Sequence, residues 1–227
     1  MDKNFIITID GPVGSGKSTV GKALAKRMNM VYLDTGAMYR VVGLEAKNRG
    51  IAADDAEGLR RLCADIKITF QPAPEGQKVF SSGKEVTDQI RRPEISMLAS
   101  AVSARKPVRE ALVALQRKAG KDGRIVVDGR DAGTVIFPGA RYKFFLDASV
   151  AERAKRRHQE LVEKNMEVSY TEIFQDIEKR DRDDRTRSLS PLKPAKDAVT
   201  IDTTSMTIEA VLDEISSRIA SGSESLP

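Results

Sequence analysis

The chain is 227 residues long, carries a formal net charge of +5 and contains one cysteine, with aromatics at only 5%. It has no run of about 18 apolar residues, which excludes a helical membrane span, and Cys63 alone excludes an internal disulfide framework. With no room for a signal peptide ahead of the first apolar stretch, a cytoplasmic location is expected, and Cys63, between apolar neighbours, reads as a small core residue.

The first predicted element is a strand over residues 5–9, a nearly continuous apolar run. Gly11-Pro12-Val13-Gly14-Ser15-Gly16-Lys17-Ser18 follows it, a complete G-x-x-x-x-G-K-[ST] signature. Its glycines let backbone N–H groups turn inward around a polyphosphate. Lys17 brings a mobile positive charge to the β/γ oxygens, and the Ser18 hydroxyl suits Mg²⁺. After Thr19, the positions Val20, Ala23, Leu24 and Met28 mark one face of a helix whose dipole points at the anion. Strand, loop and helix predict a nucleoside triphosphate site built from residues 11–19.

Further apolar runs fall at 31–33, 125–127, 142–146 and 198–201, rich in branched residues as parallel strands buried on both faces should be. Helical patterns separate them, which predicts an α/β doubly wound sheet of about five parallel strands. Two stretches depart from the alternation. Residues 66–86 read as a small antiparallel meander around a Pro/Gly-rich turn, followed by a helix opened at Pro93, interrupted at Pro107 and resumed to about residue 118. Residues 149–187 read as two helices, because Ser149-x-x-Glu152 and Ser169-x-x-Glu172 each have capping-box spacing. A last helix is expected over about 207–218, and the tail 221–225 is expected to be unordered. There is no internal repeat.

Three polar groups stand out. Asp34-Thr35-Gly36-Ala37-Met38-Tyr39-Arg40 follows the second strand and Asp128-Gly129-Arg130-Asp131 follows the third, both at the edge where α/β ligands bind. Arg180, Arg182, Arg185 and Arg187 alternate with Asp181, Asp183 and Asp184. The N-K-x-D motif that reads guanine is missing, and His158, the only histidine, reads as a solvated helix residue beside Arg156 and Arg157. Arginines from three segments suit an acceptor that is itself a phosphate: its oxygen is already anionic, so alignment of two repelling anions matters more than a base. A sugar-hydroxyl acceptor is the alternative, with Asp34 or Asp131 as base. A nucleic-acid-binding module is a third reading, opposed by scarce aromatics and no tryptophan.

At these residues the chain resembles the bacterial cytidylate kinase family, the CMP/dCMP kinases of the nucleoside monophosphate kinase group. The matching blocks are Ile9-Asp10-Gly11-Pro12, Leu33-Asp34-Thr35-Gly36-Ala37-Met38-Tyr39-Arg40, Pro107-Val108-Arg109-Glu110-Ala111-Leu112, Asp128-Gly129-Arg130-Asp131-Ala132-Gly133-Thr134-Val135-Ile136-Phe137-Pro138, Phe145-Leu146-Asp147-Ala148-Ser149 and the run 180–191. The resemblance implies one P-loop kinase domain, with a core of 1–34, 108–150 and 188–220, a monophosphate-binding insertion at 35–107 and a helical lid at 151–187. It implies transfer from ATP, with Mg²⁺, to CMP or dCMP. Arg40, Arg130 and Arg187 would hold the CMP phosphate; Ser100, Arg109 and Asp131 would read the base; Arg180 and Asp184 would address the sugar. Arg157 and its neighbours would approach the triphosphate. Lys17, Arg130, Arg157, Arg180 and Arg187 are thus the expected catalytic residues. Thr35, where members of the family often carry serine, keeps the hydroxyl. Ser18 would touch the metal, with Asp128 in an outer shell. A monomer without nucleic-acid or membrane partners is the expectation.

The base assignment has a physical reason of its own. Cytosine offers an amino donor and the N3 and O2 acceptors, which match a carboxylate and a guanidinium. Uracil inverts the pattern, so CMP and dCMP are expected to be good acceptors and UMP a poor one.

Overall fold

The computed structural model of the chain describes residues 5–73, 76–163 and 165–223. In chain order the elements are β1 (Ile6–Asp10), α1 (Lys17–Arg27), β2 (Val31–Asp34), α2 (Thr35–Asn48), α3 (Ala56–Asp65), β3 (Ile68–Ala73), β4 (Gly76–Ser81), β5 (Lys84–Glu85), α4 (Pro93–Ser103) and α5 (Lys106–Ala119). They continue with β6 (Ile125–Gly129), β7 (Tyr142–Asp147), α6 (Val150–Glu163), α7 (Tyr170–Thr186), β8 (Val199–Asp202) and α8 (Ile208–Ser223). A 3₁₀ turn at Gln89–Arg91 and a π-helical turn at Ala132–Ile136 complete them. The chain forms two compact units, Met1–Leu33 with Asp122–Pro227, and Asp34–Lys121.

The first unit is built on a five-stranded parallel sheet in the order β2-β6-β1-β7-β8. Its central strands are apolar because both faces are covered: β6 is buried along its whole length and β7 along five of six residues. Ile7, Ile9, Leu24, Val126, Phe144, Leu146 and Ile215 form the centre of the core. Each such side chain contributes about 1.5–3 kcal/mol on burial. The chain leaves β1 toward β2 and β6 on one side and toward β7 and β8 on the other. The carboxyl end of β1 is therefore the switch point, where a crevice opens. Each strand runs one residue or more past its apolar stretch and ends at that edge on a polar residue or glycine, which periodicity alone does not reveal.

The two helices expected from capping-box spacing are both present, as α6 and α7, and one expectation in this unit is corrected. The last helix runs to Ser223, so residues 221–223 are ordered. The Ser221 hydroxyl donates to the Ser217 carbonyl, and the Gly222 carbonyl accepts from Arg141 at 3.1 Å. Glu224 and Ser225 lie outside the described residues. Of the two capping boxes, Ser149 accepts from the Glu152 amide at 3.2 Å, whereas the Ser169 side chain makes no cap bond.

The second unit packs α2, α3, α4 and α5 with the antiparallel sheet β3-β4-β5. Pro93 and Pro107 both stand in the first turn of a helix, where a missing N–H costs nothing, and this is why one apolar pattern becomes two helices. Val41, Val42, Leu59, Leu62, Ile95, Val102, Val108 and Leu112 are among its buried apolar residues, and Cys63 is buried with them as expected. Ser81 donates to Glu45 at 2.6 Å, tying the small sheet to α2. Residues 74 and 75 of the expected turn lie outside the described residues.

Candidate functional site

The predicted phosphate loop lies between β1 and α1. Gly16 caps α1 at φ +85°, a conformation that side chains rarely adopt, and a Cβ there would project into open space, leaving the helix N-terminus accessible. Lys17 folds back over the loop and donates to the Pro12 carbonyl at 2.8 Å. Burial, with Arg130 adding to it, pushes the Lys17 ammonium down to about 7 against the opposing pull of Asp128 and Asp184. Ser18 and Thr19 are exposed at the mouth of the loop, and Ser15 is fully buried beneath it.

A second group gathers in the same unit. Arg130, just past β6, donates to Asp184 of α7 at 2.9 Å. Arg187, which caps the end of α7, lies 3.6 Å from Asp184 and 4.0 Å from Asp131. Its side chain is only 9% exposed, and its Nε is fixed on the Ser190 carbonyl at 2.6 Å. Burial alone would raise the Asp184 carboxyl, but Arg130, Arg187 and Arg180 outweigh it and hold it below its ordinary value. The helix repeat sorts the 180–187 run: Asp181 and Asp184 face inward, while Arg182 and Arg185 face solvent. Lys17, Asp128, Arg130, Asp131, Arg180, Asp184 and Arg187 are thereby brought into one electrostatic neighbourhood.

Arg157 is paired at 2.7 Å with Glu160 one turn along α6. His158 is not the fully solvated residue expected: it is half-buried and meets Tyr170 edge-on at 6.2 Å, because α7 folds back against α6.

The second unit holds the remaining predicted residues. Asp34 caps α2, Oδ1 accepting from the Ala37 amide at 2.8 Å, and Oδ2 pairs with Arg40 at 2.9 Å. Both oxygens are engaged by structure, which disfavours the alternative of Asp34 as a general base. Thr35 is buried and Ser100 half-buried. Arg109 is buried, donates to the Ser103 carbonyl at 3.2 Å and sits 5.6 Å from the Tyr39 ring centroid.

Sequence reasoning missed three polar residues. Arg153 of α6 is 2% exposed and donates to Asp181 of α7, to the Val13 carbonyl in the phosphate loop and to the Ala148 carbonyl. Asp181 appeared only as part of a charge run, and its inward position on α7 was the available signal. Asp10 is the third: it is buried at the end of β1 and accepts two backbone amides. A strand that ends on an acid directly before the glycine loop could have drawn attention to it.

For a divalent cation the donors fit a phosphate-borne metal. Among the described residues no three His, Cys, Asp or Glu side chains gather as a metal cage. Mg²⁺ is ordinarily held by substrate phosphates, water and one or two protein oxygens. The exposed Ser18 hydroxyl at the loop mouth would be available as such an oxygen. Asp128 is buried and accepts from the Tyr32 hydroxyl at 2.7 Å, which suits an outer-shell role.

A family model described as cytidylate kinase matches residues 7–221 of the chain. The chain is similar to a cytidylate kinase of Enterococcus faecalis (strain ATCC 700802 / V583), 51% identical over 209 residues that cover 92% of each protein. It is also similar to a cytidylate kinase of Geobacter sp. (strain M21), 47% identical over 225 residues that cover 97% of each. Among solved structures it is similar to an uncharacterized protein from Eubacterium ventriosum ATCC 27560 at 13% identity and a TM-score of 0.51, covering 96% of this chain and 99% of that one. That likeness shows the fold alone.

Proposed function

The chain belongs to the cytidylate kinase family, and from that premise we propose that it transfers the γ-phosphoryl group of ATP to CMP or dCMP, giving ADP and CDP or dCDP, assisted by Mg²⁺. The observation that carries the reading is Lys17 of the phosphate loop lying in the field of Arg130, Arg180 and Asp184. A donor-phosphate lysine and an arginine cluster share one end of one sheet.

In the reaction an oxygen of the CMP phosphate forms a bond to the γ phosphorus while the bond to the ADP oxygen breaks. The acceptor oxygen carries no proton that must first be removed, so the chain's task is alignment and charge stabilisation. The loop amides of residues 11–19 and Lys17 cradle the donor. Ser18 would help to hold Mg²⁺, with Asp128 as an outer-shell contributor. When bound, the metal supplies charge neutralisation across the donor oxygens. Arg40, Arg130 and Arg187 hold the acceptor phosphate, with Thr35 supplying a hydroxyl. Ser100, Arg109 and Asp131 read cytosine, and Arg180 with Asp184 addresses the sugar. Residues 35–107 act as the monophosphate-binding insertion, and 151–187 act as a lid that brings Arg157 to the triphosphate and excludes water, which would otherwise compete as acceptor. A monomer in the cytoplasm completes the reading. Among the described residues no helix is long and apolar enough to cross a membrane.

A coupled assay with ATP and each of CMP, dCMP, UMP and AMP tests this. CMP and dCMP are expected to be good acceptors, with UMP weaker in kcat/KM by about one to two decades, the value of a bidentate base contact. Equal efficiency with UMP and CMP would defeat the base assignment.

A further inference from the structure

Asp10 has no role in the scheme above, yet it is one of the most enclosed carboxylates of the first unit, 4% exposed at the carboxyl end of β1. Its Oδ1 accepts from the Ala132 amide and its Oδ2 from the Gly133 amide, both at 2.8 Å. Those two N–H groups open the π-helical turn Ala132–Ile136, which begins directly after Arg130 and Asp131. One carboxylate therefore joins two segments: the strand end that leads into Gly11 of the phosphate loop, and the segment that displays Arg130 and Asp131.

The turn is held from its other side as well. The Asp131 carbonyl accepts from Val135 at 2.9 Å and from Ile136 at 3.2 Å. Asp131 itself, at φ −144° and ψ 21°, lies off the helical region, so its side-chain direction depends on what fixes the residues after it. Gly133 lets the turn press onto β1, since a Cβ there would stand 2.9 Å from Thr8 Oγ1 and 3.4 Å from Asp10 Oδ2. π-helical turns are rare and frequently mark functional sites. Burying Asp10 is costly. Burial pushes its carboxyl up to about 7, the two amides offset this in part, and Asp131 and Asp128 raise it further. The hydrogen bonds that offset this burial are the two from the Ala132 and Gly133 amides.

We propose that Asp10 is a positioning residue for acceptor selectivity: by holding the amides of Ala132 and Gly133, it sets the placement of Arg130 and Asp131 against the phosphate loop. The proposal rests on the reading that Asp131 addresses cytosine and Arg130 the acceptor phosphate. Asp10 would touch neither substrate and would act only through those two residues.

Steady-state kinetics of Asp10→Asn, with CMP and UMP as acceptors and Asp131→Asn alongside, test it. Asparagine keeps the shape but turns an NH₂ toward one of the two amides, so one hydrogen bond is lost. The expected result is a KM for CMP raised about tenfold and a CMP:UMP ratio of kcat/KM narrowed about tenfold, the scale of one lost base contact. The KM for ATP should stay within about twofold, since binding at the donor site is untouched. An unchanged ratio in folded Asp10→Asn, while Asp131→Asn loses it, overturns the proposal and leaves the base reading standing. A ratio unchanged in Asp131→Asn overturns the base reading itself. Should Asp10→Asn fail to fold, Asp10→Ser, whose shorter side chain removes both hydrogen bonds without adding bulk, gives the same readout. If both variants lose activity toward every acceptor alike, Asp10 is structural only and the proposal fails.

Discussion

Lys17 shows how one residue can be costly in the free protein and useful in the complex. With its ammonium pushed down to about 7, chiefly by burial, it is partly neutral near physiological pH. Below that value the folded and unfolded chains both carry the proton. Between about 7 and the ordinary lysine value of about 10.4 only the unfolded chain does, so the folded state gains stability as pH rises through this window. A bound triphosphate reverses the balance, because its charge favours the ammonium form. We therefore expect ATP binding to take up a proton, with uptake near zero at about pH 6 and approaching one proton at about pH 8.5. Calorimetric titrations in buffers of different ionisation enthalpy measure it. Lys17→Met should abolish the uptake and lower kcat by several decades, and a variant with near-normal turnover would remove the loop lysine from the mechanism. A second residue argues the opposite case. Gln116 of α5 is fully buried, and among the described residues neither its Nε2 nor its Oε1 finds a hydrogen-bond partner. An unsatisfied buried amide costs about 1–3 kcal/mol. Gln116→Met should accordingly leave activity intact and raise the urea midpoint; a lowered midpoint would show that the amide is satisfied.

At the scale of elements, the apolar strands, the glycine loop, the proline-opened helices and the small meander were all legible, because each rests on a local rule: periodicity, φ preference or a missing N–H. The elements' polar interiors were not. Arg153 carried no signal of its own and Asp181 stood only in an alternating charge run; the folding of α7 onto α6 is what buries them together. In that position Arg153 spans three segments through Val13, Ala148 and Asp181, so it fastens both helices to the phosphate loop. The same limit applied to Asp10, whose partners lie more than a hundred residues along the chain. The candidate site follows this pattern: its donor half was spelled out contiguously, whereas Asp184 clasping both Arg130 and Arg187 needed tertiary structure. The buried pair gives a prediction at this scale. Removing one member leaves an uncompensated charge, so Arg153→Met should cost about 3–5 kcal/mol in urea denaturation. The double variant Arg153→Met with Asp181→Leu should recover most of that loss. A single variant as stable as the parent would show that the pair contributes nothing.

For the whole molecule, the sign of the net charge says less than where the charge sits. The excess of five positive charges could favour a polyanion. However, the guanidinium groups best placed for phosphate, Arg130 and Arg187, are mostly enclosed and paired with Asp184 instead of being laid out as an exposed track. Some exposed basic residues are balanced by neighbours, as with Arg27 beside Glu209 and Asp213, or Arg218 beside Glu214. Enclosed, carboxylate-paired guanidinium groups of this kind suit a small anion better than a long polyanion, in keeping with the proposed acceptor. The apolar exterior leads to the same kind of conclusion about assembly. Among the described residues the exposed large apolar ones are Val31, Met97, Leu115, Val162, Met166, Tyr170, Leu189 and Ile208. They are spread over many elements, and the largest sequence-local group is Val162, Met166 and Tyr170 around the α6–α7 connection. A stable dimer buries about 800 Å² per partner around an apolar centre, several times what three partly covered side chains offer. Sedimentation equilibrium is therefore expected to return the mass of one chain, 24.9 kDa, at micromolar concentration with and without nucleotide. A mass of twice that, persisting on dilution, would mean that these scattered residues are brought together by a partner copy.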